Sequence, residues 1–135
     1  MLLTMQRAIL HRFIVTQTDA RSEDCLMLDQ EILDLAGILP YEQVQVANTN
    51  NGERFTLHVV AAGRGSGICS LHGPAARKAQ PGDQLTITAH ALLVLKEAYD
   101  LIPTVVAADE RNRPSVLVDT TVNDFWSEIM EIEGY

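Results

Sequence analysis

The sequence predicts a mainly β domain with short helices. Three observations carry that prediction: apolar and β-branched residues recur in short alternating runs, Gly, Pro, Asn and Asp cluster between those runs, and helical periodicity is confined to brief segments. Residues 2–16 (LLTMQRAILHRFIVT) are rich in apolar and β-branched types and are followed by turn chemistry at 19–24, so they read as one or two strands. Asp29 opens DQEILDLAG, with acidic residues in the first turn, Ile32, Leu33 and Leu35 on one side and Gly37 as the stop; this is a short helix. QVQVA at 43–47 and the alternating run 54–61 flank a polar turn at 48–52, the pattern of a hairpin that carries Arg54 just past its tip.

The glycine-rich stretch 63–67 (GRGSG) matches neither GxxxxGK[ST] nor GxGxxG and reads as a plain loop. Residues 68–71 read as a strand, 73–78 as a helical turn begun by Pro74, 81–83 (PGD) as a turn, and QLTITAHALLVL at 84–95 as a strand. IPTVVAAD at 102–109 reads as the last strand. Residues 121–135 place Val122, Phe125, Trp126, Ile129 and Ile132 on one face with acids opposite, which predicts an amphipathic helix over 121–133.

At 135 residues the chain is long enough for one core and fills a single domain. A net charge of -8 repels phosphate backbones and excludes nucleic acid as a natural partner. No apolar run approaches the length of a membrane span and no long apolar leader opens the chain, so no membrane is expected and the expected compartment is the cytoplasm. Two cysteines, Cys25 and Cys69, are too few for a disulfide framework, and each is read as a lone thiol.

Four segments carry a resemblance: LHR at 10–12, TQTDARSEDCLMLDQEILDLAG at 16–37, NNGERF at 50–55 and LHGPAARKAQPGD at 71–83. Together they resemble the pyruvoyl-dependent aspartate decarboxylases, and the likeness runs without a gap to about Ala89 and fades beyond Lys96. The resemblance implies a double-psi β-barrel over 1–110, a C-terminal extension over 111–135, and a homotetramer with pockets between subunits. It also implies a self-made pyruvoyl group. In that family a Gly-Ser pair cleaves itself, the serine attacking the glycine carbonyl, and the resulting ketone serves as the electron sink for decarboxylation.

Here the Gly-Ser pair falls on Asp24-Cys25. A thiol is a better nucleophile than a hydroxyl, so processing through Cys25 is chemically open. Asp24 opposes it, because a residue with a Cβ is penalised by roughly 1–3 kcal/mol in sparsely populated backbone regions that glycine enters freely. The matched positions imply that Arg54 grips a substrate carboxylate and that His11, Arg12, Gly73, Ala75 and Ala76 are retained around the pocket. The family's lysine is Ile9 here, its tyrosine beside the cleavage site is Ser22, its processing threonine is Leu57, its proton-donating tyrosine is His58 and its pocket asparagine is His72.

The resemblance thus gathers Cys25, His11, His58 and His72 as candidate catalytic groups, with Arg54, Gly73, Ala75 and Ala76 as candidate substrate contacts. One reading is a Cys25 nucleophile with lowered pKa, activated by imidazole, acting on a small carboxylate held by Arg54 with no cofactor; pyruvoyl enters only if Cys25 is processed. Thiolate and imidazole also suit zinc, but no CxxC or HExxH spacing supports a metal. Against these stand plainer readings: Cys25 and Cys69 as small core residues, Arg54 paired with a neighbouring acid, and a silent barrel serving as a binding subunit.

Overall fold

Alternation of apolar residues dominates the architecture seen in a computed structural model, which describes residues 1–117. The helix expected over 121–133 lies outside the described residues. Nine strands are present among them: β1 (Leu2–Ile14), β2 (Gln17–Asp19), β3 (Cys25–Asp29), β4 (Gln43–Asn48), β5 (Arg54–Ala62), β6 (Cys69–His72), β7 (Gln84–Val94), β8 (Thr104–Ala108) and β9 (Pro114–Leu117). Two short helices, α1 (Gln30–Ala36) and α2 (Leu95–Ala98), and a 3-10 turn, Gly73–Lys78, complete it. The fold is mainly β and barrel-like, with strand order β2-β6-β3-β5-β4-β7-β1-β8-β9.

Parallel and antiparallel pairings interleave. β3 runs parallel to β5 and antiparallel to β6, β1 runs parallel to β8 and antiparallel to β7, and β4 bridges β5 and β7. Val44, Val46, Leu57 and Val59 turn inward from the β4–β5 hairpin as the alternation requires. Leu10, Phe13, Leu26, Leu28, Ile32, Leu33, Leu71, Leu85 and Ile87 complete one contiguous core. Each such side chain contributes about 1.5–3 kcal/mol through burial.

The helix expected after Asp29 forms as predicted. The Asp29 side chain accepts from the Glu31 amide, and Gly37, in the left-handed region at φ 69°, ends the helix by donating to the carbonyls of Asp34 and Leu33. Arg7 of β1 reaches across to the Gly37 carbonyl at 2.9 Å and pairs with Glu42, so helix end and barrel are tied together.

Asp29 has a second task. Its Oδ1 accepts from Glu31 N and Gly65 N at 2.9 Å each, and its Oδ2 accepts from Gly67 N at 2.9 Å, so one buried carboxylate clasps the 63–67 loop. Asp29→Asn is expected to cost about 1–3 kcal/mol, because an amide that keeps the Oδ1 contacts turns its NH2 toward the Gly67 N–H and leaves that donor unsatisfied. Urea denaturation checks this; a midpoint equal to wild type would show that the clasp does not contribute.

Four elements were not expected from the sequence, among them β2, which follows the strand stretch 2–16 and runs into the expected turn. β3 arises from CLMLD, an apolar run too short to separate from the start of α1; α2 begins at Leu95, the last residue of the strand expected over 84–95, and fills a stretch for which no element was expected. β9 pairs antiparallel with β8 and carries the sheet past the strand expected to be last. No helix among the described residues is long and apolar enough to cross a membrane.

Candidate functional site

Strand register brings three of the predicted residues to one face. On β3 and β6, Cys25 is the direct partner of His72. On β3 and β5, Leu26 pairs with Val59, so one step earlier Cys25 stands level with His58. Leu26, Leu71 and Val59 point into the core, and strict alternation therefore turns Cys25, His72 and His58 to the opposite face. Cys25 and His72 are half-buried there and His58 is exposed.

The thiol does not behave as the sequence led us to expect. Burial pushes the Cys25 thiol up, and the negative charges of Asp24 and Glu23 push it further in the same direction. The expectation of a lowered pKa is corrected: the acids adjoin the sulfur in sequence, while the imidazoles one strand away do not offset them. At neutral pH Cys25 is a thiol. Cys69 is fully buried and pushed up to about 12 by desolvation, as expected for a core cysteine.

These directions give a test. A raised pKa means that the reactive thiolate accumulates only at higher pH than for an unperturbed cysteine, so iodoacetamide labelling of Cys25 should be slow at neutral pH and climb steeply above it. Cys69 should remain unlabelled in the folded protein over the same range. Peptide mass mapping reads both sites; a Cys25 rate that is already at its plateau at neutral pH would mean that imidazole outweighs the acids.

The segment before Cys25 is held against the loop after His72. Gly73 adopts φ 79°, and a Cβ built on it would lie 2.6 Å from Asp24 Cα and 2.7 Å from Asp24 N. Ala75 N donates to Asp24 Oδ1 at 3.4 Å. Ala75 and Ala76 are buried beneath this contact. Asp24 itself lies outside the positive-φ region, which among non-glycine residues holds Arg12, Tyr41 and Asn112, so its backbone is spared the strain expected for an aspartate in place of glycine. Leu57, at the position of the processing threonine, is buried and carries no hydroxyl.

Arg54 stands apart. It begins β5 opposite Ala47, and four residues at ~3.3 Å each separate it by about 13 Å from His58, beside Cys25. It opens into a cavity of about 550 Å³ lined also by Gln6, Gln45, Thr56, Thr86 and Thr88. Among the described residues the ion pairs join Arg7 to Glu42 and Arg64 to Asp34, and neither engages Arg54. Its guanidinium is therefore not committed to an acid among the described residues. A cavity of mixed polar and apolar lining that holds an arginine fork of N–H donors can take a carboxylate.

His11 is not brought to the Cys25 face. It lies on β1 beside Ala107 of β8, separated from β3 by β7, β4 and β5 in the strand order. Burial lowers its pKa and the charge of Arg12 lowers it further, which leaves it a neutral imidazole at neutral pH. No three His, Cys, Asp or Glu side chains among the described residues are grouped to hold a metal ion. Sequence reasoning missed Ser70, whose hydroxyl lies 2.8 Å from His72 Nε2; the i, i+2 spacing on a strand is the signal that would have found it.

Comparison with known proteins shows the family. The aspartate decarboxylase family matches residues 1–115. The aspartate 1-decarboxylase of Maricaulis maris is 47% identical over 113 residues, covering 84% of this chain and 93% of that protein. That of Salinibacter ruber is 46% identical over 110 residues, covering 82% and 75%, and that of Phenylobacterium zucineum is 43% identical over 112 residues, covering 83% and 95%. With the match extending beyond the hairpin and the Cys25 face to β9, the chain belongs to the aspartate decarboxylase family.

Proposed function

We propose that this protein is an aspartate decarboxylase-like enzyme that works as an intact chain on a small substrate bearing a carboxylate, aspartate or a close analogue. The observation that carries the reading is the register of β6, β3 and β5, which sets Cys25 level with an imidazole on either side. Arg54 clamps the carboxylate, and His58, exposed beside Cys25, takes the thiol proton when the sulfur is to act. The residues do not fit the family's pyruvoyl route: Asp24 replaces the glycine and Leu57 brings no hydroxyl. No step is therefore assigned to that group.

Within one protomer about 13 Å of strand separates the backbone of Arg54 from the level of Cys25. Their separation supports a site shared between subunits, in which Arg54 of one protomer faces Cys25 of the next within a homotetramer in the cytoplasm. Symmetric assembly makes such a site repeat in every subunit.

A second reading has one observation in its favour: Asp24 is free of positive-φ strain, so the backbone does not forbid attack by Cys25 on the Asp24 carbonyl. Intact mass of the purified protein separates the two. A single species of 14.9 kDa is expected. Cleavage into 1–24 and a second fragment whose mass shows that Cys25 has lost its sulfur and amine to become a pyruvoyl cap would instead establish processing through cysteine; a second fragment that keeps cysteine would mean plain hydrolysis.

A further inference from the structure

Ser70 and His72 lie two residues apart on β6 and project from the same side of the sheet. Ser70 is 1% exposed, and its Oγ lies 2.8 Å from His72 Nε2. That contact is the hydrogen bond of the Ser70 side chain among the described residues, and no buried side-chain nitrogen or oxygen among them lacks a partner. A buried hydroxyl that fails to donate costs about 1–3 kcal/mol. Its O–H therefore donates to Nε2, and Nε2 accepts. A neutral imidazole carries one ring proton, so that proton sits on Nδ1.

We propose that Ser70 is a positioning residue that fixes His72 in the Nδ1–H tautomer, so that the ring presents an N–H donor, not a basic lone pair, on the side away from Ser70. His72 is flanked there by Cys25 of β3 and Asp19 of β2, each its register partner. Asp19 is already engaged: its carboxylate accepts from Ser22 Oγ at 2.8 Å and Arg21 N at 3.0 Å, and these bonds hold it below the usual carboxylate range. Asp19 keeps lone pairs to spare and interacts electrostatically with His72, so the donor on His72 lies between that carboxylate and the Cys25 face, where an anionic oxygen of a bound molecule competes for it. The two imidazoles of that face divide the work, His72 donating and His58 accepting. This deepens the proposed function and rests on it for the identity of the bound molecule, but the tautomer itself does not depend on turnover.

Long-range proton–nitrogen NMR spectra of the 15N-labelled full chain, recorded where the rings are neutral, read the tautomer directly, with His72→Gln identifying the His72 signals. The wild type should show a protonated Nδ1 and an unprotonated Nε2. Ser70→Ala should lose that pattern and gain the Nε2–H form, and Ser70→Thr, which keeps the hydroxyl, should retain it. With Nδ1 of His72 unprotonated, Ser70→Ala should also label faster at Cys25. An Nε2–H signal in the wild type, or an unchanged Nδ1–H signal in Ser70→Ala, overturns the proposal; should Ser70→Ala fail to fold, the wild-type spectrum alone decides. An inactive protein with the Nδ1–H pattern would sink the enzyme reading and leave this inference standing.

Discussion

Gly73→Ala is expected to lower the melting temperature by about 10 °C or more and to dislodge the segment that presents Cys25. Two effects add. Gly73 sits at φ 79°, where a side chain introduces roughly 1–3 kcal/mol of backbone strain. Its new Cβ would also meet Asp24 Cα at 2.6 Å and Asp24 N at 2.7 Å. Both obstacles are backbone atoms, so no rotamer change relieves them, and the overpacking adds about 1–3 kcal/mol more. The relief open to the protein is to move Asp24 away, which carries Cys25 out of register with His72. Calorimetry reads the stability, and Cys25 labelling reads the displacement through loss of the burial that holds the thiol protonated. A variant melting within a degree or two of wild type, with unchanged labelling, would mean that the 73–78 turn does not fix the Asp24-Cys25 segment.

Local chemistry was legible in the sequence wherever one short segment contains its own instructions. Asp29 and Gly37 mark the two ends of α1 because capping needs only the residues beside it, and the β4–β5 hairpin is written in alternation around a polar turn. β3 was hidden because four apolar residues ahead of a helix cap have no period of their own to show. The candidate site divides in the same way. Resemblance nominated Cys25, His58, His72 and Arg54, but nothing local says that register sets the first three together and leaves Arg54 about 13 Å up the strand. The direction of the Cys25 shift was missed for a related reason. It depends on the balance between burial, two acids adjacent in sequence and imidazoles on other strands, and that balance is a matter of distance.

Replacing Arg54 by Lys should lower kcat/KM by about 10- to 100-fold although the charge is kept, and Arg54→Ala should lower it further. A guanidinium gives a carboxylate two parallel charge-assisted hydrogen bonds, each contributing about 1.5–3 kcal/mol; an ammonium acts as a point charge and forfeits at least one of them. The loss should fall on substrate binding. Arg54 is exposed and makes none of the ion pairs found among the described residues, so neither substitution should disturb the fold, and equal melting temperatures are the control. The proposed sharing of the site between subunits makes a stronger demand. Refolding Arg54→Ala together with Cys25→Ala in equal amounts should restore roughly a quarter of wild-type activity, since a random assembly places an intact Arg54 opposite an intact Cys25 in about one interface of four. Either protein alone should stay inactive. If the mixture stays as inactive as its parts, or light scattering finds a monomer at micromolar concentration, the carboxylate clamp and the thiol do not meet across subunits. Should Arg54→Lys turn over substrate as well as wild type, the clamp itself is misassigned.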